Sequence, residues 1–353
     1  MQAREYIKGR GAQIQSYNKF EKNQFIKAHW EGIDEDILPD KKTTYLEVFP
    51  KSIVNLVESA DIPIAYSVNP YQGCEHGCIY CYARESHQYW GYNSGLAFEQ
   101  NVLVKMNAVS LLEQKFQNQL WKVEPISLSG NTDCYQPIER QYKLTRALLE
   151  LCLKYQHPIQ IITKNSLIER DLDILKKLNE NNLVQVFISV STLNENLRRV
   201  LEPRTSTAER KLKTIRLVSD NKISVAVLMA PVIPGLNSHE MFNIAKQCAE
   251  AGAVAFNYSL VRLNGSIGTV FTDWVKQVFP DRAEKVINGI KDCHNGSLED
   301  KRIGIRMRGQ SHYAEMLERS YRLAKETYFK NRKINVLNRG AFVRNKLGQL
   351  NLF

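Results

Sequence analysis

Six short runs of β-branched and apolar residues recur along the middle of the chain, each closed by turn residues and followed by a stretch with helical spacing. They are IAYSV (64–68), PISLS (125–129), PIQIIT (158–163), LVQVFISVS (183–191), ISVAVLMA (223–230) and AVAFNYSL (253–260). Residues 144–155 and 167–179 are two of the intervening helical stretches. Strands alternating with amphipathic helices predict βαβ units around a parallel sheet. Near-continuous apolar strands predict a sheet covered on at least one face. Six units fall short of the eight of a closed barrel. The prediction is therefore an α/β fold, a partial (β/α)6 TIM-like barrel over residues 61–265, with a flat doubly wound sheet as the rival. Residues 1–60 read as a polar N-terminal arm, 266–345 as a basic helical C-terminal extension and 346–353 as a tail. In the extension, residues 314–329 put Met316, Leu317, Leu323, Ala324 and Tyr328 on one helical face.

In folds of this kind the loops at the C-terminal strand ends are free to vary, and function collects there. The first such loop is GCEHGCIYC (73–81) and the second is GNTDCYQPIE (130–139). The third strand ends at Lys164 and Asn165, and the fourth delivers Ser189, Ser191 and Thr192. The fifth ends in APVIPG (230–235), and the sixth runs out to Arg262 and Asn264. Polar residues thus gather at one rim of an apolar sheet, as at an active-site mouth.

The first loop holds Cys74, Cys78 and Cys81 within nine residues. The N-terminus lacks the apolar stretch of a signal peptide, and no apolar run approaches the ~18 residues of a membrane span. The expected location is the cytoplasm, off the membrane, where seven cysteines argue for metal binding over disulfides. Zinc takes four ligands, and His76 or His87 would complete a Cys₃His set. An iron–sulfur cubane held by three thiolates instead keeps one iron open for another molecule. Cys152, Cys248 and Cys293 fall in helical or peripheral stretches and read as core residues.

The spacing C-x₃-C-x₂-C, with Tyr80 just before its last cysteine, resembles the signature of the radical S-adenosylmethionine (radical SAM) enzymes. The resemblance implies that Cys74, Cys78 and Cys81 hold a [4Fe–4S] cluster whose open iron chelates S-adenosylmethionine. An electron from an external donor would then release a 5′-deoxyadenosyl radical. The set NPYQGCEHGCIYCYAR, GNTDCYQPIE, ITKN, LEPRTS and APVIPG is similar to the spore-photoproduct-lyase-like, photolyase-like DNA-repair branch of that superfamily. GRGA (9–12) and GIRMRGQ (304–310) resemble one bacterial subgroup of it, and the similarity runs from about residue 9 to the end. It implies that Lys164 binds the cofactor's carboxylate, that Thr132 and Ser189 hydrogen-bond the cofactor, and that Tyr80 lies beside the adenine.

The pattern departs from the lyase at one position. The lyase's hydrogen-donating cysteine stands three residues before an aspartate, and the matching residue here is Gly130. Cys134, on the other side of Asp133, is either a displaced donor or a small residue packed into the fold. Asp133 is either catalytic or a helix cap, and Glu139 reads as a first-turn carboxylate. Glu202 and Arg204 form either a structural ion pair or a cofactor or substrate contact.

The net charge is +11, and between Lys301 and Lys346 thirteen Lys and Arg face three Glu. A second run, 198–216, holds seven against two. Such asymmetry fits a polyanionic partner, nucleic acid above all, or simply a solvated face. The last five residues, QLNLF, resemble the peptide by which bacterial repair proteins dock on the sliding clamp. Gln349 would orient it, and Leu350, Leu352 and Phe353 would fill an apolar pocket, unless the segment folds back on its own core. The expected function is a radical SAM enzyme acting on nucleic acid in a DNA-repair-like, lyase-like reaction. The alternatives are the same chemistry on a protein, an RNA or a metabolite, and a non-catalytic iron–sulfur DNA adaptor tethered to the clamp.

Overall fold

The computed structural model describes residues 6–20, 42–62 and 64–344, so Gln349, Leu350, Leu352 and Phe353 lie outside the described residues. Among the described residues ten strands occur in chain order: β1 (Thr44–Val48), β2 (Val54–Leu56), β3 (Tyr66–Val68), β4 (Tyr71–Gln72), β5 (Asn101–Lys105), β6 (Ile126–Leu128), β7 (Ile159–Thr163), β8 (Val184–Ser189), β9 (Val225–Val232) and β10 (Ala255–Leu260). Each of the six sequence runs supplies one parallel strand of a seven-stranded sheet, ordered β10-β9-β8-β7-β6-β3-β2. The seventh strand, β2, runs antiparallel to β3. The sheet does not close on itself, since β10 and β2 are its two edges. This is a partial barrel.

Alternation along the strands sorts the two faces. Ile126, Leu128, Ile161, Val186 and Val227 join one buried cluster with Leu148, Leu175, Ile215 and Ile244 of the surrounding helices. The opposite face is polar at its base. Ser67, Ser127, Gln160 and Gln185 stand in one row across β3, β6, β7 and β8, and Gln160 Nε2 donates to Gln185 Oε1 at 2.7 Å. The apolar character of the strands thus belongs mainly to the helix-covered face.

Two segments finish the barrel. Along the open seam, Met307 O accepts from Leu260 N of β10 at 2.8 Å. On the other side Asp61, beyond β2, accepts from Gly304 N at 2.6 Å and from the Arg306 guanidinium. At the floor, Gln185 donates to the Asn335 carbonyl, Asn338 N donates to Asn182 O at 2.9 Å and Val343 N donates to Tyr155 O at 2.9 Å. Phe342 packs edge-on against His157, ring centroids 5.5 Å apart.

A second sheet, β1-β5-β4, is not hydrogen-bonded into the barrel sheet. Its β1, like β2, comes from segment 1–60. The expected C-terminal helix is present as His312–Phe329, but its buried face differs. Leu317 and Ala324 are inside as expected, joined by Ala314, Tyr321 and Phe329, whereas Met316 is 48% exposed and Leu323 60%. Tyr321 sets the rotation, because its ring packs at a tilt against Tyr258, centroids 5.0 Å apart, and its hydroxyl donates to Phe256 O. No helix among the described residues is long and apolar enough to cross a membrane.

Candidate active site at the barrel mouth

The cysteine loop lies beyond β3 and β4, with Cys74 and Cys78 buried and Cys81 half-buried, all three as free thiols. Its path is held by backbone bonds from Cys74 N to Phe98 O at 2.9 Å and from Ile79 N to Leu201 O at 3.1 Å. Beneath it sits a buried ion pair. Arg84 Nη2 donates to Glu99 Oε1 at 2.5 Å and to Cys78 O at 2.9 Å. Glu99 also accepts from Gly11 N at 3.1 Å and Ala12 N at 2.8 Å, so the GRGA segment is stapled against the loop. The approach is close enough to require glycine: a Cβ on Gly11 would fall 1.7 Å from Gly77 O, and Gly77 itself has φ +66°.

Two further strand-end loops are tied to it. His76 Nδ1 lies 3.4 Å from Asp133 Oδ2, and its Nε2 is 3.2 Å from Asn165 Nδ2. Burial disfavours the imidazolium, but the Asp133 carboxylate and Cys74 together override that and hold His76 up at about 10. Asp133 Oδ1 accepts from Tyr135 N at 2.9 Å and from Thr163 Oγ1 at 2.8 Å, and Oδ2 accepts from Lys164 N at 2.7 Å. Asp133 therefore caps its own turn and joins β7 to the cysteine loop. Glu139 is also structural: fully buried, it accepts from Tyr71 Oη, from Arg170 Nη2 at 2.6 Å and from Thr145 N at 3.0 Å at the start of helix Leu144–Lys154.

Thr132 is buried, and its hydroxyl donates to Tyr71 O at 2.8 Å, which fixes the loop after β6. Tyr80 Oη donates to Glu202 Oε1, and the same oxygen accepts from Ser191 Oγ at 2.6 Å. The expected Glu202–Arg204 pair does not form. Glu202 pairs with Lys211 Nζ at 3.1 Å, and Arg204 turns to Glu75 Oε1 at 3.4 Å and Gly9 O at 3.2 Å. The two residues stand in a turn and leave it in different directions. Burial works against ionising Glu202, yet the charges of Lys211 and Lys164 and its hydrogen bonds hold it at about 2.

Cys134 has no exposure and sits inside the main core cluster, where burial pushes its thiol well above its ordinary value. This is the packed position. Cys152, Cys248 and Cys293 join the same cluster. His87 is sandwiched between Tyr92 and Phe98, with centroids at 4.9 and 5.5 Å, and burial lowers it to about 4.

Lys164 and Ser189, from adjacent strand ends, have no side-chain hydrogen bond or ion pair among the described residues. Burial alone would lower the Lys164 ammonium, but Glu202, Cys78 and Asp133 keep it above its ordinary value. Three free thiols on one braced loop, facing an uncommitted ammonium, suit a cluster with an anionic molecule on its open iron. Among the described residues no three His, Cys, Asp or Glu side chains gather as ligands of one metal ion. A cubane needs no such convergence, since each thiolate binds a different iron. The GRGA brace, Glu99 and Lys211 are the parts that the motifs did not reveal. Of these, only the glycines of GRGA, Gly9 and Gly11, carried a local signal.

The model of the radical SAM superfamily matches residues 68–248. An uncharacterised protein of Mycobacterium tuberculosis is 32% identical over 241 residues, spanning 67% of this chain and 71% of that one. One from Methanocaldococcus jannaschii is 27% identical over 223 residues, 63% of this chain and 80% of its own. Among solved structures, spore photoproduct lyase complexed with dinucleoside spore photoproduct superposes with a TM-score of 0.60 at 15% identity, over 88% of each chain. A mutant of that enzyme with bound AdoMet and dinucleoside spore photoproduct gives 0.57 at 14%, over 83% of this chain and 82% of the other. At these identities the likeness to the solved structures is one of fold.

Proposed function

The chain belongs to the radical SAM superfamily, an enzyme family that uses a [4Fe–4S] cluster and S-adenosylmethionine, and on that premise we propose that it acts on nucleic acid. Cys74, Cys78 and Cys81 would hold the cluster. When bound and reduced by an external donor, the cofactor pair supplies a 5′-deoxyadenosyl radical that takes a hydrogen atom from the substrate. Lys164 would offer its ammonium to the cofactor's carboxylate, and Ser189 a hydroxyl to its polar groups. Asp133, His76 and Thr132 keep the loops around them in place. Tyr80 anchors the loop through Glu202, and its backbone would lie beside the cofactor's adenine.

The observation that carries the reading is the braced loop of three free thiols facing the unpaired Lys164. Support for a nucleic acid substrate comes from the +11 charge and the likeness of fold to a lyase solved with a dinucleoside. A DNA-repair-like, lyase-like outcome follows from the same likeness, with hydrogen returned by a group other than the enclosed Cys134. The tail, through Gln349, Leu350, Leu352 and Phe353, would tether the enzyme to the sliding clamp.

Anaerobic reconstitution should load about four irons per chain, and Cys→Ala at position 74, 78 or 81 should abolish the cluster's absorption. With reductant, deuterium from a labelled oligonucleotide should appear in 5′-deoxyadenosine. Stoichiometric zinc without iron–sulfur absorption would overturn the cofactor assignment to these cysteines. Deuterium transfer from a labelled peptide but from no nucleic acid would move the substrate to protein.

A further inference from the structure

The same rim carries a second uncommitted cation. Arg262 leaves the C-terminal end of β10, fixed by backbone bonds on both sides: Val261 N to Val232 O at 2.9 Å and Leu263 N to Leu298 O at 2.8 Å. Its guanidinium is half-buried and makes no hydrogen bond or ion pair among the described residues. Around it, charge is already spent. Arg306 is held by Asp61 and by Ser59 Oγ at 2.7 Å, and Arg302 by Asp300 at 2.7 Å. Arg308 is laid over Tyr258 at 3.9 Å and donates to Asn257 Oδ1 at 2.6 Å. Burial and the neighbouring Arg306 both act against the Arg262 charge, with Asp61 and Tyr82 acting the other way. An unpaired, partly desolvated guanidinium beside a like charge is costly to keep. A ligand anion would remove that cost.

Position narrows the ligand. Tyr82 follows Cys81 directly, donates to Gly130 O across the mouth and keeps 60% exposure. Arg262, at the end of β10, lies within charge range of the Tyr82 hydroxyl and of Arg306, on the side where Met307 and Leu298 bond to Leu260 and Leu263 and the seam forms the wall. A guanidinium fork beside an exposed ring matches a phosphodiester with an adjoining base. Building on the nucleic-acid reading, we infer that Arg262 is the phosphate anchor that fixes a nucleic acid strand at the barrel mouth. The backbone near the reacting nucleotide would sit on the β10 side, opposite Lys164.

The test uses anaerobic, cluster-loaded protein and a fluorescently labelled single-stranded oligothymidylate, with anisotropy read across a salt series. The variants are Arg262→Gln, Arg262→Lys and, as a control, Arg319→Gln on the exposed side of helix His312–Phe329. Each single-strand phosphate contact contributes about 0.7 to the slope of log K against log salt. Arg262→Gln should therefore flatten the slope by about 0.7 and weaken binding about fivefold at 0.1 M salt. Arg262→Lys should keep the slope with a smaller loss, and Arg319→Gln should match the wild type. The melting temperature of Arg262→Gln should hold or rise, because no internal partner is lost. Undiminished binding and slope in Arg262→Gln, while the wild type binds, would overturn the anchor and leave the nucleic-acid reading standing. A fall of several degrees in its melting temperature would mark Arg262 as structural and also overturn the anchor. Wild-type protein that ignores oligonucleotides at the lowest salt would overturn both.

Discussion

At the residue scale, the mouth separates into charges that are spent and charges that are free. Lys164 makes no direct ion pair or side-chain hydrogen bond among the described residues, and beyond the support its charge gives to ionised Glu202 its removal should fall on ligand binding. Lys164→Ala should keep its iron content while S-adenosylmethionine affinity falls about tenfold to a hundredfold, the worth of one charge-assisted hydrogen bond. Equilibrium dialysis with labelled cofactor checks this, and unchanged affinity would remove Lys164 from the site. Glu202 is spent on Lys211, Tyr80 and Ser191. Its folded value of about 2 lies below its ordinary 4.5. The stabilisation is therefore complete above pH 4.5 and is lost as pH falls toward 2, on the order of 3 kcal/mol in all. Glu202→Gln strands a buried ammonium and should cost about 3–5 kcal/mol at neutral pH. The double variant Glu202→Gln/Lys211→Met should cost less than the single one and show a flatter acid limb in denaturant titrations. If the double variant proves the worse of the two, the pair is not the source. Lys164 and Ser189 were legible because they stand directly at strand ends. The Glu202–Lys211 pair was not, because helix Glu195–Leu201 and helix Ala208–Asp220 meet only in the fold.

At the element scale, the six parallel strands of the barrel sheet announced themselves, since each is a local apolar stretch bounded by turns. The β1-β5-β4 sheet did not. Its β4 is two residues long, and its main pairing joins Thr44–Val48 to Asn101–Lys105. Pairing over that distance leaves no periodic mark in either segment. The helix His312–Phe329 was found, but its buried face was rotated because an aromatic ring outweighed the aliphatic spacing. GRGA is a short element whose meaning also lies in a distant contact. Gly11→Ala would force the segment off the cysteine loop, an overpacking cost of about 1–3 kcal/mol. The variant should melt earlier and take up less iron than the wild type during reconstitution, as iron and sulfide assays would show. Wild-type iron loading in Gly11→Ala would mean that the brace does not hold the loop.

At the scale of the whole molecule, the basic extension divides between the seam, where Arg306 is held by Asp61, and the floor of the barrel. The basic extension looked like a surface for polyanions, yet several of its cations are engaged at or near the floor. Arg332 Nη1 donates to Ala249 O at 2.7 Å and Ala253 O at 2.8 Å, Arg344 Nε to Phe116 O at 3.3 Å, and Arg339 pairs with Glu124. Counting charges in sequence could not separate such internal donors from free ones. The mouth's own cations, Lys164 and Arg262, are few and placed. A tail leaving from the floor end would act independently of the mouth. Deleting 349–353 should leave S-adenosylmethionine cleavage unchanged while abolishing sliding-clamp binding in calorimetry. Equal clamp binding by both proteins would end the docking idea. The floor has a further consequence, in the order of events during synthesis. The sheet is complete once β10 has been made, but its base is covered by residues 335–344. While translation is still short of them, Tyr155, His157 and Phe116 have no Phe342 to cover them. A nascent chain thus passes through a stage with every strand present and the rings of Phe116, Tyr155 and His157 not yet covered by Phe342, the kind of surface that chaperones bind.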